Sequence, residues 1–566
     1  MKLCIDGRMI DAKEGSSLRE LLVNESMDHH KLSMRPIAAK IAGQVFNLNY
    51  IPVREKDLHK EQPSVRAAMA ASGGKVQLLR YSDPSGKEVY TRTAQFVMFL
   101  AIRRLWPHAK AKMNCTLGPG LYIQVLGCPE FQTQLLKSEM DLLIRQDIPL
   151  IRRRMDKADA VARFQERGQE DKAKLLSWRT ASYFDVYTCD DFADYYYGEL
   201  APSTGYLTGW DLIAYDNGFI FVFPDDIDPD RPAVFRELPN LYSVFSEGER
   251  WCRLMRCETV ADLNELTLSG KLRELIRVNE ALHEKRYAQI ADMICQRNAR
   301  FVMLAGPSSS GKTTSANRLA TQLRVQGIKP ILMSLDDYYI DRDKCPVDAD
   351  GKLDLEHINT IDTQLFSAHI ADLLDGKTVE IPSFDFKTGK RKWNGHRLVL
   401  DDDTVVIVEG LHALNPAMIP ENFPDHAVFR MYISPLLPLN LDDHNRIPTS
   451  YLRLLRRIVR DYETRGSSVQ KTLSMWDSVR RGEVRWIFPY QENADVIFNS
   501  STLYELAVLK KHIFPLLLAI GPEESCYDQV RAIVKVLNFV LDADVDDEIP
   551  PTSLVREFVG GNTFYK

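Results

Sequence analysis

The chain has no uninterrupted apolar run of the ~18 or more residues that a membrane-crossing helix needs, so no transmembrane helix is predicted. Its opening residues, MKLCIDGRMIDAKEG, lack the apolar core and small-residue cleavage site of a secretory signal. The nine cysteines (Cys4, Cys115, Cys128, Cys189, Cys252, Cys257, Cys295, Cys345 and Cys526) are scattered and contain no C-x-x-C pair. That spacing argues against both a disulfide framework and a zinc ribbon. Together these absences predict a reducing, cytoplasmic setting and no membrane partner. Positive charge is not in excess either, with 72 Lys+Arg against 78 Asp+Glu and a net charge of −6. A slightly acidic chain has no global attraction for nucleic acid. Any such role would rest on local clusters such as Arg103-Arg104 and Arg152-Arg153-Arg154. Tandem repeats and low-complexity tracts are absent.

What is present is ordinary globular usage over 566 residues, 45% hydrophobic and 27% charged. At ~100–200 residues per domain, that length suggests three to four domains. Residues 1–60 open with an alternating strand, KLCIDGRMIDA, turning at Asp6-Gly7. A helical stretch, SSLRELLVNE, follows with Ser16 or Ser17 as N-cap, which makes a small α+β unit. Residues 61–230 form a second α+β region. It has helical periodicity at 92–107, 132–145 and 156–177, short strands around LGPGLYIQVLG, and a hairpin over 206–223 turning near Asn217-Gly218. Residues 231–298 read as a helical connector. Its amphipathic part carries Leu272, Leu275, Ile276, Leu282, Ile290 and Ile294 at helical spacing.

From Phe301 the pattern becomes strands alternating with helices. The strands are expected at 301–305, 330–334, 404–408, 428–433 and 495–498. This alternation over residues 299–515 predicts an α/β domain with a parallel sheet and helices on both faces. Residues 516–566 form a C-terminal extension. Its tail, SLVREFVGGNTFYK, either packs on a neighbouring domain or frays.

Within the α/β domain, Gly306-Pro307-Ser308-Ser309-Ser310-Gly311-Lys312-Thr313-Thr314 matches G-x-x-x-x-G-K-[ST] between an apolar strand and a helix. Glycine lets a loop turn tightly and approach phosphate closely. Successive amides and the helix N-terminus then bind anionic oxygens. Lys312 supplies a point charge for the β- and γ-phosphates, and the Thr313 hydroxyl stands where a Mg²⁺ ligand belongs. Residues 306–314 are therefore expected to bind ATP with Mg²⁺, making this a P-loop NTPase fold.

Two strand ends carry acids, and ligands in such sheets gather at the carboxyl ends of strands. One strand runs into Ser334-Leu335-Asp336-Asp337-Tyr338-Tyr339. An aspartate there can accept a proton from an attacking hydroxyl. Adjacent carboxylates face different ways, so one of the two is expected to act; a turn or helix cap is the plainer alternative. The next strand ends in Val408-Glu409-Gly410, where a carboxylate can hold Mg²⁺ directly or through water. Further on, RIPTSYLRLLRRIVRDYETR places Arg453, Arg457 and Arg460 on one helix face, flanked by Arg456 and Arg465. Guanidinium forks suit phosphate oxygens, so this segment reads as a cationic lid over the phosphates; a solvated basic face paired with Asp461 and Glu463 is the plainer alternative.

These segments, GPSSSGKTT, LDDYY, EIPSFDF (380–386), VIVEG and RRIVRDYETRG (456–466), occur in the order and spacing seen in uridine kinases. The resemblance spans about residues 300–510 and extends to phosphoribulokinases of the same superfamily. It implies ATP- and Mg²⁺-dependent phosphorylation of a nucleoside 5′-hydroxyl. It assigns Asp336 as catalytic base, Lys312 and Thr313 as phosphate and metal residues, Glu409 as the metal-site acid, and Arg457, Arg460 and Arg465 as lid arginines. It also places Glu356 at a ribose-binding acid and Phe384 at an aromatic beside the base. Tyr339 joins Asp336, Glu356, Phe384, Arg457 and Arg460 as an expected acceptor contact. Two positions depart from the family: its base-reading histidine appears here as Gly389, and a further lid arginine as Ser467. The kinase chemistry carries over, whereas pyrimidine specificity does not.

The first half resembles other families. Residues 1–60 look like a TGS-type β-grasp module. Residues 92–225 are similar to the editing-type second domain of threonyl-tRNA synthetases, through Ala101-Ile102-Arg103-Arg104-Leu105-Trp106-Pro107 and Leu117-Gly118-Pro119-Gly120. The H-x-x-x-H pair of that domain appears as Arg92 and Phe96, and the region of Cys189 has no histidine. The resemblance therefore implies a half that is silent for editing. The leading expectation is a kinase acting on a small-molecule acceptor, most of all a nucleoside. A sugar-phosphate kinase and a nucleotide-regulated RNA- or tRNA-binding protein are the alternatives. Nucleic acid is the less favoured partner, and a homo-oligomer stays open.

Overall fold

Asp6 and Gly7 both adopt positive φ, 44° and 84°. A two-residue hairpin turn of the twist-matched kind requires this, and it joins the strands Lys2–Ile5 and Arg8–Asp11. The computed structural model describes residues 2–13, 15–50, 73–179, 181–347, 351, 353–521 and 523–564. After the hairpin, Ser17 caps the helix Leu18–Asn24 through a reciprocal pair of bonds with Glu20. A second hairpin, Ala38–Ile41 with Gln44–Asn47, follows. The strand Lys75–Leu79 then inserts between the hairpins, parallel to the first strand and antiparallel to Ala38–Ile41. The expected boundary at residue 60 therefore cuts this sheet. Its central strand lies further along the chain, where only long-range pairing reveals it.

The chain divides into two compact units, residues 1–237 with 440–446 and 520–539, and residues 238–439 with 447–519 and 540–566. The first unit continues with the helix Pro84–Leu105. A four-stranded antiparallel sheet follows, ordered 211–215, 218–222, 120–126, 110–117, and a three-stranded sheet is ordered 192–194, 183–189, 151–156. The expected hairpin is present, turning at Asp216-Asn217. The stretch expected as one helix at 156–177 is two, Lys157–Glu166 and Glu170–Ser177, broken where Gly168 takes φ 71°.

In the second unit a five-stranded, wholly parallel sheet is ordered Lys329–Ser334, Thr404–Glu409, Phe301–Ala305, Val428–Ser434, Val496–Asn499. Its inner strands Phe301–Ala305 and Thr404–Glu409 are buried almost throughout, as strands covered on both faces are. The helix Lys312–Val325 buries Leu319 and Leu323 against Val302, Leu304, Ile407 and Met431. Residues 231–298 are not a connector. The helix Leu272–Arg297 places Tyr287, Ile290, Ala291 and Ile294 in that same core, each essentially fully buried. Burying an Ile side chain contributes roughly 1.5–3 kcal/mol, so this helix is a layer of the domain. Nor is 516–566 one extension, because residues 520–539 belong to the first unit and 540–566 to the second.

Candidate active site

The loop 306–311 leaves the central strand Phe301–Ala305 and enters the helix Lys312–Val325. Its conformation needs glycine at two points. A Cβ on Gly306 would stand 2.2 Å from the Ile433 carbonyl oxygen, and Gly311 caps the helix with φ 88°. Ser309 also takes a positive φ, 59°. Buried cations and a hydroxyl hold this shape. Arg453 donates to the Ser308 carbonyl at 3.2 Å, Arg456 to that of Ser309 at 3.4 Å, and Ser500 to that of Ser310 at 2.6 Å. Arg456 forks onto Glu505 at 2.8 and 3.0 Å, both side chains fully buried. Arg453 pairs with buried Glu483, whose carboxylate also accepts from the Ser308 amide at 3.2 Å. Burial works against the charge of Glu483, yet Arg453 and Arg480 hold its pKa below the ordinary range. Arg453, read from sequence as part of a lid stripe, is thus a support of the loop. Its partner lies 30 residues away, beyond the reach of a helix-face argument.

Lys312 folds back on its own loop, donating to the Gly306 carbonyl at 3.0 Å and that of Pro307 at 3.3 Å. Burial lowers the ammonium pKa, and Glu409, Asp336 and Glu557 oppose that shift. Thr313 donates to Glu409 Oε1 at 3.3 Å, and the Ser334 hydroxyl reaches the same oxygen at 3.3 Å. Glu409 stands level with Ser334 and Leu304 at the carboxyl ends of three adjacent strands. Burial pushes its pKa up to about 7, with Asp336 and Glu557 adding to the effect against Lys312. These donors are hard oxygens from Thr313, Glu409 and Ser334, the ligand set that suits Mg²⁺.

Asp336 lies on a short 3-10 turn, Leu335–Tyr338, started by the Ser334 hydroxyl accepting from its amide at 3.3 Å. Burial raises its carboxyl pKa, while Lys312, Arg465 and a hydrogen bond from Tyr339 draw it back. Asp337 turns away and accepts from the Phe384 amide at 3.4 Å, so the two neighbouring acids do separate. Tyr339, Phe384 and Phe386 form an aromatic cluster with ring centroids 5.2–6.3 Å apart. Glu356 is half-buried, its Oε2 enclosed without a hydrogen-bond partner, and burial together with Glu483 raises its pKa to about 7. The helix Val469–Trp486 approaches it so closely at Gly482 that a Cβ there would lie 2.3 Å from the Glu356 Cβ.

Arg457 donates to the Ser308 hydroxyl at 2.9 Å. It also converges with Arg460 and Arg465 on Asp461, at 3.3, 2.8 and 3.7 Å. Arg465 is the most exposed of the three, at 60%, and its charge is felt at Asp336. Gly389 takes φ 67°, and a Cβ would meet Arg342 Cβ at 2.9 Å. A histidine at that position would be strained, which accounts physically for the family departure. Of the residues expected from sequence, Arg453, Arg456 and Arg457 bond to the serines of this loop, Lys312 and Thr313 open its helix with Glu409 and Asp336 beside them, and Arg460 and Arg465 lie on Asp461. Reasoning from sequence does not single out Ser334, Glu483 or Glu557, which carry no pattern of their own, whereas the pairing of Arg457, Arg460 and Arg465 with Asp461 is the plainer alternative for the arginine segment.

The corresponding positions in the first unit are filled by structure. Arg92 donates to the Glu199 carbonyl at 3.1 Å, and Phe96 is buried edge-on to Phe192 at 5.1 Å. The Cys189 thiol is pushed up to about 11 by burial, helped by Asp190. The basic clusters are partly compensated: Arg152 and Arg154 pair with Asp185, and Arg104 pairs with Asp190 and Glu139.

A phosphate loop, a following metal-type threonine and a carboxylate at the adjacent strand end, on an all-parallel sheet, define a P-loop kinase. The model of the phosphoribulokinase / uridine kinase family matches residues 301–507. A uridine kinase of Ligilactobacillus salivarius is 31% identical over 196 residues, 34% of this chain and 82% of that protein. One of Macrococcus caseolyticus is 29% identical over 195 residues, 34% of this chain and 84% of that protein. A solved structure described as a possible uridine kinase from Bacillus stearothermophilus aligns at 21% identity over 35% of this chain and 88% of that one, with a TM-score of 0.22. The chain belongs to the phosphoribulokinase / uridine kinase family through its residues 301–507.

Proposed function

We propose that the protein transfers the γ-phosphate of ATP to the 5′-hydroxyl of a nucleoside. The observation that carries this reading is Asp336: a half-buried carboxylate on the turn just past a strand end, hydrogen-bonded by Tyr339 and facing the charges of Lys312 and Arg465. In this reading the hydroxyl oxygen of the acceptor attacks the γ-phosphorus, and Asp336 takes its proton. The bond from the γ-phosphorus to the β–γ bridging oxygen breaks, and ADP leaves. Lys312 swings from the carbonyls of Gly306 and Pro307 to the β- and γ-phosphate oxygens. Residues 306–314 cradle the phosphate chain through backbone amides and hydroxyls. Thr313 and Glu409 would hold Mg²⁺, which supplies charge neutralisation on the phosphates when bound. Arg457, Arg460 and Arg465 spread the charge of the transferring group.

On the acceptor side, Glu356 has a free buried oxygen suited to hydroxyl groups, and Phe384 with Tyr339 offers faces on which a planar base can stack. Similarity to proteins named uridine kinase supports a nucleoside. No corresponding observation favours a phosphorylated sugar. The synthetase-like and β-grasp-like first unit is proposed to bind or position a ligand without editing chemistry. ADP release with Mg²⁺ should be measured against a panel of nucleosides and pentose phosphates, with Lys312→Ala as control. Turnover with a nucleoside that vanishes in the variant supports the reading. Turnover with pentose phosphates alone would replace it with the sugar-phosphate alternative.

A further inference from the structure

The C-terminal tail, residues 553–564, packs on the phosphate loop of its own unit. Ser553 is buried and donates to Glu280 at 2.7 Å, and Tyr504 donates to the same oxygen at 2.7 Å. Leu554, Val555 and Phe558 are fully buried. The Arg456 guanidinium that supports the loop also stands 4.9 Å over the Phe558 ring. Leu554 lies so close that a Cβ on Gly311 would meet its Cδ2 at 2.7 Å. Gly560 and Gly561 both take positive φ, 86° and 76°, and turn the chain back, so that Asn562 donates to the Thr314 hydroxyl at 3.3 Å. Between the buried anchor and this turn lies Glu557. One of its carboxylate oxygens accepts from the Thr314 hydroxyl at 2.6 Å and from the Thr314 amide at 3.3 Å.

That amide belongs to the first turn of the helix Lys312–Val325, whose N–H groups have no partner within the helix and favour an anion. In a phosphate loop Lys312 serves the β- and γ-phosphates and Thr313 the metal between them. The next amide along, Thr314, therefore falls on the α-phosphate side. A carboxylate and a phosphate cannot both hold it.

We propose that Glu557 is a built-in competitor of the nucleotide: its carboxylate occupies the α-phosphate position at Thr314, and ATP binds by displacing it. This rests on residues 306–314 being the ATP site. The tail is anchored by Ser553, Leu554 and Phe558, so the displacement involves the Glu557 side chain and the segment through Asn562. Because occupancy by the tail lowers the fraction of competent sites, its removal raises apparent affinity by the inverse of that fraction.

The test is equilibrium binding of ATP, ADP and adenosine to the full chain, comparing wild type with Glu557→Gln, Glu557→Ala and Lys312→Ala, with thermal midpoints recorded for each. The expected result is ATP and ADP binding about five- to tenfold tighter to Glu557→Ala, a smaller gain in the same direction for Glu557→Gln, and unchanged affinity for adenosine, which has no phosphate to compete. Unchanged or weaker ATP binding in Glu557→Ala overturns the proposal. So does an equal gain for adenosine, which would mark a merely loosened tail. If Lys312→Ala loses ATP binding while the Glu557 variants match wild type, the loop is the ATP site and only the tail proposal fails. If neither wild type nor Glu557→Ala binds ATP, the reading of the loop fails and the proposal with it.

Discussion

The Thr313 hydroxyl donates to Glu409 Oε1 at 3.3 Å, which joins the first turn of one helix to the end of the neighbouring strand. Glu409 has its pKa raised to about 7 by burial. Below that pH the folded protein keeps the carboxyl protonated, and a cation entering the site must release the proton. Above it the ionised carboxylate is ready for metal, and without one its burial is a cost to stability. Mg²⁺ should therefore raise the thermal midpoint more at pH 8 than at pH 6. Glu409→Gln should abolish the difference. An equal Mg²⁺ effect at both pH values would remove Glu409 from the metal site.

The buried pair Arg456–Glu505 is predicted to be a structural keystone of the loop. Removing one partner, as in Glu505→Gln or Arg456→Ala, should destabilise the protein by about 3–5 kcal/mol in denaturant unfolding, because an uncompensated charge is left inside. A loss below about 1 kcal/mol would contradict the assignment.

Gly389 is predicted to resist replacement for backbone reasons. Its φ of 67° and the 2.9 Å approach of Arg342 mean that Gly389→Ala should cost about 1–2 kcal/mol. Denaturant midpoints check this. A neutral effect would imply that the loop accommodates a side chain, and the strain account of the missing histidine would fail.

The helix Leu272–Arg297 is predicted to behave as core. Ile290→Ala should destabilise the protein by about 2–5 kcal/mol, a change invisible to a mere connector. An unfolding curve that matches wild type would return residues 231–298 to the connector role.

Much of the second unit was legible in the sequence because its information is local. The strand cores at 301–305 and 404–408 are short apolar runs, and the loop between Gly306 and Thr314 has a spacing dictated by phosphate geometry. What stayed hidden depends on contacts distant in sequence. Arg453 and Arg460 share a helix face, yet one is buried on Glu483 while the other meets Asp461. Helical periodicity cannot tell which acid each cation meets. The strand Lys75–Leu79 joins a sheet whose other strands end at residue 47, so only pairing identifies it. Glu557 belongs to no motif, and its meaning comes from Thr314, 243 residues earlier.

The central claim, that Asp336 takes the proton of the acceptor hydroxyl, is tested most directly by the single-turnover rate of Asp336→Asn with ATP, Mg²⁺ and the acceptor found by substrate profiling, alongside its ATP affinity. The account predicts a rate at least about 10²-fold below wild type with ATP affinity within about twofold. A near-normal rate would contradict it and move the base to another residue.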